Sequence, residues 1–152
     1  MTMLPDFSLA THFSKWEFKA RHHMTASDAE SMSMQELLAM ATPQERKVFD
    51  TLWLGYTETF GAPDLRETIA ATYESRNAAD VLVFAGASEG IFAANSVILD
   101  RDSHAIVVTP NYQSHETLPL AICEATGIPL DPDDNWSLDI DRIAAAIKKN
   151  TK

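Results

Sequence analysis

Four residues of strand-forming type, Val81-Leu82-Val83-Phe84, lead into the small-residue turn Ala85-Gly86-Ala87-Ser88. Beyond it, Ile91, Ala94, Ile98 and Leu99 recur at helical spacing. A strand that turns sharply into a helix aims several free backbone N–H groups, and the positive end of the helix dipole, at one place. Small side chains let an anion approach that backbone, and Ser88 adds a hydroxyl. The chemistry this predicts is capture of a phosphate group. Turns of this kind are common in α/β proteins and only some bind phosphate. A Ser88 that merely caps the helix is the plainer alternative.

Other groups with chemical potential read as structure. Cys123 is the chain's single cysteine and sits among Leu120, Ala121, Ile122 and Ala125, which predicts a buried structural thiol rather than a nucleophile. One cysteine rules out an intramolecular disulfide framework and fits a reducing cytoplasm. His22 and His23 are adjacent, and sequence neighbours rarely point at one ion. With no cysteine or carboxylate pattern beside them, no metal site is expected. Met32, Met34 and Met40 read as core filler. The net charge of −10 disfavours nucleic acid and anionic membrane surfaces as partners. No apolar run approaches a membrane span, and the N-terminus lacks the basic and apolar regions of a signal peptide. With 152 residues, 45% hydrophobic and 22% charged, the chain has the make-up of a soluble globular protein, ordinarily one domain.

The elements that must position the turn are legible in order. Residues 1–24 are irregular and rich in large rings (Phe7, Phe13, Trp16, Phe18), which suggests an arm that docks on something, with a short helix over Phe13–Lys19. Ser27-Asp28-Ala29-Glu30, Ser33-Met34-Gln35-Glu36 and Thr42-Pro43-Gln44-Glu45 each read as a capping box that opens a helix. The third predicts a helix carrying Val48, Phe49, Leu52, Trp53 and Leu54 on a broad apolar face. Gly55 and Gly61 mark a loop, and Pro63 opens a helix that should stop near Asn77, before a strand at Val81–Phe84. A second strand is expected at Ala105–Thr109 and a short third at Ile128-Pro129-Leu130. Between them lies a helix or bent segment through Ala125, with Pro119 as a kink or boundary and Gly127 as its close. Asp139 caps a last helix, Ile140 to Lys149. Strands alternating with helices predict βαβ units, a parallel sheet and an α/β fold.

Three motifs in this order resemble the first half of class I/II aminotransferases, which are fold-type I pyridoxal-phosphate enzymes. They are Tyr56…Gly61…Leu65-Arg66…Ile69-Ala70, then Gly86-Ala87-Ser88-Glu89, then Pro110-Asn111-Tyr112. The resemblance spans roughly residues 50–150, and the Trp16-to-Met40 region is similar, less specifically, to the family's arm and small-domain segment. It implies an N-terminal helical arm and segment over residues 1–50. An incomplete three-layer αβα pyridoxal-phosphate-binding domain would follow over 51–152. It further implies that Gly86, Ala87 and Ser88 hold the phosphate of pyridoxal 5'-phosphate and that Tyr112 stacks on its pyridine ring. Tyr56 would reach across a homodimer to the phosphate of the other subunit. The implied reaction transfers an amino group between an amino acid and a 2-oxo acid.

The resemblance also implies residues without a match in this chain. The Schiff-base lysine, the acidic partner of the pyridine nitrogen and the arginine for the substrate carboxylate lie downstream in the family. Lys15, Lys19, Lys47, Lys148, Lys149 and Lys152 fall in no matching motif, so the expectation is a truncated N-terminal portion that does not transaminate by itself. In the family, strands from the other half separate those matching Val81–Phe84 and Ala105–Thr109. Two further readings stand beside this one. A stand-alone phosphate-binding α/β module lacks support from a P-loop lysine or a G-x-G-x-x-G turn. A non-catalytic interaction domain rests on the aromatic arm and acidic surface alone.

Overall fold

Backbone pairing separates true strands from merely strand-like sequence. The computed structural model describes residues 4–152, so the first three residues of the expected arm lie outside the described residues. Its strands are β1 (His104–Thr109) and β2 (Glu124–Pro129), paired in parallel with His104 opposite Glu124 and Thr109 opposite Pro129. The α-helices are α1 (Ser8–Trp16), α2 (Met34–Ala39), α3 (Pro43–Asp50), α4 (Pro63–Ala70), α5 (Ala87–Ile98), α6 (Gln113–Ile122) and α7 (Ile140–Ala146). Helices with a small parallel sheet make this an α/β chain, as the alternation of elements predicts. It divides into two units: the segment up to Ala20 with Phe84–Lys152, and Arg21–Val83.

In the first unit α6 is the crossover between β1 and β2, and it packs on both strands and on α5. Ala105, Leu118 and Ile128 supply the buried apolar contacts. His104 is completely buried, and both ring nitrogens are satisfied: Nδ1 by Thr151 Oγ1 and Nε2 by Thr126 Oγ1, each at 2.8 Å. A buried polar ring without partners would be costly, so these hydroxyls are what let a histidine begin the strand. On the other edge of β1, the His104 N–H donates to Asn150 O and the Lys152 N–H to His104 O. Asp139 caps α7 by accepting from the Arg142 N–H at 3.0 Å.

In the second unit the capping boxes expected at Ser33 and Thr42 both form. Glu36 accepts from the Ser33 N–H and Glu45 from the Thr42 N–H, each at 2.7 Å. Those backbone hydrogen bonds hold both carboxyl groups below the usual carboxylate range. Arg66 ties α4 to the segment that follows: its Nε donates to Val81 O at 2.9 Å and its Nη2 to Ala78 O, while the guanidinium lies over the Phe60 ring. Gly61 has φ +107°, and a Cβ there would come within 2.5 Å of Val83 Cγ2. Glycine is therefore required at 61 both by backbone conformation and by space.

Several expectations are corrected. Val81–Phe84 is not a strand; its backbone bonds run from the Val81 N–H to Ala78 O at 3.3 Å, a local turn, and from the Val83 N–H to Phe60 O at 3.0 Å. Composition makes a segment ready for a ladder, but pairing makes the strand, and no ladder includes it among the described residues. Gly127 does not close a helix: α6 ends at Ile122 and Gly127 lies inside β2, which starts earlier than the expected strand. Pro119 is internal to α6, not a boundary, and its carbonyl accepts the Cys123 N–H. Ser27–Glu30 opens no helix, the first helix starts at Ser8 rather than Phe13, and α3, α4 and α7 end earlier than expected. Met32, Met34 and Met40 are exposed rather than core. Cys123 is only half-buried, though desolvation and the nearby Asp100 push its thiol upward and leave it a poor nucleophile.

The chain exposes 12640 Å². Two separate compact units sharing this mass would expose about 9,000 Å² whatever their arrangement. Many large apolar side chains are exposed, with Phe18, Leu54 and Tyr56 all more than nine-tenths so. Exposed apolar surface of this kind favours association. Sedimentation of the chain is expected to show species larger than a monomer, with binding of an apolar dye. A compact monomer with a sharp unfolding transition and no dye binding would contradict this. Independently, Gly61→Ala should destabilise the chain by about 1–3 kcal/mol, the scale of a non-glycine residue held at positive φ. The shift of the urea midpoint relative to wild type measures it.

Candidate functional site

The turn before α5 leaves backbone donors unpaired. Gly86 is the N-cap, in extended backbone with φ 178° and ψ 157°, and no side chain caps the helix. The N–H groups of Glu89 and Gly90 both donate to Gly86 O, and the Ala85 N–H donates to Glu89 Oε2 at 2.9 Å. The N–H groups of Ala87 and Ser88 have no acceptor among the described residues. They are the orphan donors that any helix start must satisfy with water, a side chain or a ligand. Ser88 is the second residue of α5 and not its cap, so the plain capping reading of its hydroxyl fails.

Small residues serve two purposes here. A Cβ on Gly86 would meet nothing within 4 Å, so the protein itself leaves that space open beside the free amides. A Cβ on Gly90 would approach Phe84 Cδ2 to 3.2 Å, so the missing side chain lets the Phe84 ring pack under the first turn of α5.

Tyr112 comes from the other side of the site. It is the N-cap of α6, just past the end of β1 and a cis Thr109–Pro110 bond. Asn111 Oδ1 accepts the Tyr112 N–H and Glu116 Oε1 accepts the Asn111 N–H, both at 2.7 Å, while Tyr112 O accepts from the His115 N–H. This local web fixes the backbone from which the ring projects. The Tyr112 hydroxyl lies 3.3 Å from Ser88 Oγ, so the two residues expected to share a ligand are in contact across 24 positions of sequence. The Phe7 and His115 rings lie edge-on to Tyr112, with centroids 5.3 and 6.4 Å away.

Gly86, Ala87, Ser88 and Tyr112 thus assemble in the first unit, beyond the carboxyl end of β1, where open α/β sheets take their ligands. Tyr56 belongs to the second unit; it is fully exposed and makes no hydrogen bond or ring contact among the described residues. A cavity of about 330 Å³ in the first unit lies elsewhere, between Ala94, Ile98, Val107 and Pro119, and none of the four site residues lines it. The site is an open cradle rather than a closed pocket. Two free amides, a hydroxyl and open space beside Gly86 fit a phosphate. An aromatic ring held at hydroxyl-to-hydroxyl distance fits a flat heterocycle attached to that phosphate. Phe7, Gln113 and Glu116 escape motif reading. Glu116 carries only the weak signal of an acid in a first helical turn, and the partners of Phe7 and Gln113 are over a hundred residues away in sequence.

Comparison with known proteins bears on the family and the fold. The family described as aminotransferase class I and II matches residues 25–152. An aspartate aminotransferase of Pyrococcus horikoshii is 30% identical over 113 residues, covering 70% of this chain and 29% of that protein. The valine–pyruvate aminotransferase of Mycobacterium tuberculosis is 31% identical over 89 residues, covering 55% of this chain and 23% of its own. A pyridoxal-phosphate-dependent aminotransferase structure from Streptococcus suis aligns with 99% of this chain and 41% of its own, with TM-score 0.89 at 20% identity, a likeness of fold. The chain thus spans under a third of the length of these curated relatives. With most of its residues inside the family match and its phosphate-type turn and aromatic ring brought together, this chain belongs to the class I and II aminotransferases.

Proposed function

We propose that this chain is the phosphate-holding and ring-stacking portion of a pyridoxal-phosphate-dependent aminotransferase, which transfers an amino group between an amino acid and a 2-oxo acid. The observation that carries this reading is the convergence of two unpartnered helix-start amides, the Ser88 hydroxyl and the Tyr112 ring beyond β1. When bound, pyridoxal 5'-phosphate supplies an electron-withdrawing ring that takes up charge as a proton leaves the substrate carbon.

The chain's own residues bind and orient. The Ala87 and Ser88 amides, at the positive end of the α5 dipole, would donate to the phosphate oxygens, and Ser88 Oγ would add a charge-assisted hydrogen bond. Gly86 leaves the phosphate room to approach. Tyr112 lays its ring on the pyridine face, with its backbone held by Asn111 and Glu116. Residues 1–50 act as arm and small-domain segment and 51–152 as the first part of the large domain. Tyr56 serves the cofactor phosphate of a second copy in a homodimer, and its complete exposure leaves it available for that. Alone, the chain binds cofactor and does not transaminate, since no lysine occupies a matching motif. Its lone cysteine suits the cytoplasm, and no helix among the described residues is long and apolar enough to cross a membrane.

Pyridoxal phosphate added to the chain should give a bound absorbance band that inorganic phosphate reduces. Stronger displacement by nucleotides would favour a nucleotide-binding module instead. Ser88→Ala should weaken binding by about 1–3 kcal/mol, the scale of a hydrogen bond to a charged group. Unchanged affinity would leave the hydroxyl without a role.

Tyr112→Ala should loosen the cofactor and shift its spectrum, while Tyr112→Phe should be mild, because the ring face does the stacking. If Phe proves as damaging as Ala, the hydroxyl beside Ser88 is the functional group.

A further inference from the structure

Gln113 is the first residue of α6 and follows Tyr112 directly. Its side chain turns back on the N-terminal arm: Oε1 accepts the Ser8 N–H at 2.9 Å, and Nε2 donates to Asp6 O at 2.7 Å. Both halves of the carboxamide are thereby engaged on the backbone groups that flank Phe7. On its other side, Phe7 is tied into the start of α1, where its carbonyl accepts both the N–H and Oγ1 of Thr11. Among the described residues, the Phe7 side chain has one aromatic neighbour, Tyr112, at 5.3 Å with the ring planes 65° apart.

We propose that Phe7, clasped by Gln113, is a positioning residue that sets the plane of the Tyr112 ring for stacking on the heteroaromatic ring of a phosphate-bearing cofactor. A phenol side chain turns about two bonds, and its stacking contact is lost if the plane tilts. Edge-to-face packing against a fixed neighbour removes that freedom before the ligand arrives. Gln113 ties the aromatic arm to the residue next to the stacking tyrosine, so arm and ring move as one piece. The proposal rests on the reading of the Ala87–Ser88 turn as a phosphate seat, and it adds a residue that touches neither the phosphate nor the turn.

The test uses the chain with two probes. Inorganic phosphate can occupy the seat alone. Pyridoxine 5'-phosphate occupies seat and stack, and it lacks the aldehyde that would react with surface lysines. Phe7→Ala and Gln113→Ala are each expected to weaken pyridoxine 5'-phosphate about three- to tenfold, the range of one aromatic pair, and to leave phosphate affinity unchanged. Phe7→Tyr should retain affinity for both probes. Phe7→Leu, which keeps the bulk but not the aromatic edge, should weaken pyridoxine 5'-phosphate alone. The proposal is overturned if Phe7→Ala leaves pyridoxine 5'-phosphate binding unaltered, or if both probes weaken together, which marks general loss of structure. If the unaltered chain binds neither probe, the phosphate seat itself fails, and with it this role for Phe7.

Discussion

Parallel pairing of β1 with β2 is the constraint on which the site depends. A parallel pair cannot be closed by a tight turn; the chain must cross over, and here α6 makes the crossing. The helix therefore starts where β1 ends, and Tyr112 and Gln113 are delivered to that edge by topology rather than by any local preference of their own. α6 packs on α5 as well as on the sheet, which brings Tyr112 to the first turn of α5. His104 anchors the opposite end of β1. Its complete burial is tolerated because Thr126 on β2 and Thr151 near the C-terminus satisfy both ring nitrogens. Strand, crossover and site are one mechanical object.

The electrostatics are local. A chain of net charge −10 is a poor long-range attractor of phosphate. What the turn offers is short-range and directional: two amides without acceptors and a hydroxyl, at the positive end of a twelve-residue helix. Glu89 is instructive, because a carboxylate beside an anion site would ordinarily repel the ligand. Here it accepts the Ala85 N–H and so holds the turn, while the Ala87 and Ser88 amides stay free. Such a cradle offers directional donors rather than net positive charge, so the orientation of each donor matters more than the summed charge.

Some of the apolar surface has a visible purpose and some awaits a partner. Phe7, in the aromatic arm, is engaged on Tyr112. Phe18, Trp53, Leu54 and Tyr56 are exposed to a degree that water alone does not favour. Each unit carries such exposed apolar side chains, Phe18 in the first and Trp53, Leu54 and Tyr56 in the second. Within the second unit the opposite principle holds: Arg66 and Gly61 lock the turn before α4 to residues 78–83 through hydrogen bonds and a close approach only glycine allows.

Local chemistry was enough to read much of this from sequence. The caps at Ser33, Thr42 and Asp139 form because a short polar side chain and its partner lie within one turn of each other. The start of α5, β1 itself and the phosphate-type turn follow from the run of residue types around Gly86 and Ala105, and the α/β class from their alternation. Where pairing or burial decides, sequence could not. Val81–Phe84 has the composition of a strand and lacks a ladder, and β2 begins at Glu124 because β1 offers it a register there. Met32, Met34 and Met40 carry no mark of the exposure they have. The contacts of Tyr112 with Ser88 and Phe7, and the grip of Gln113 on Asp6 and Ser8, join residues far apart in the chain. Only the packing of α6 against α5 and the arm brings them within reach, because hydrogen bonds and ring contacts act over a few ångströms of space and carry no signal along the sequence.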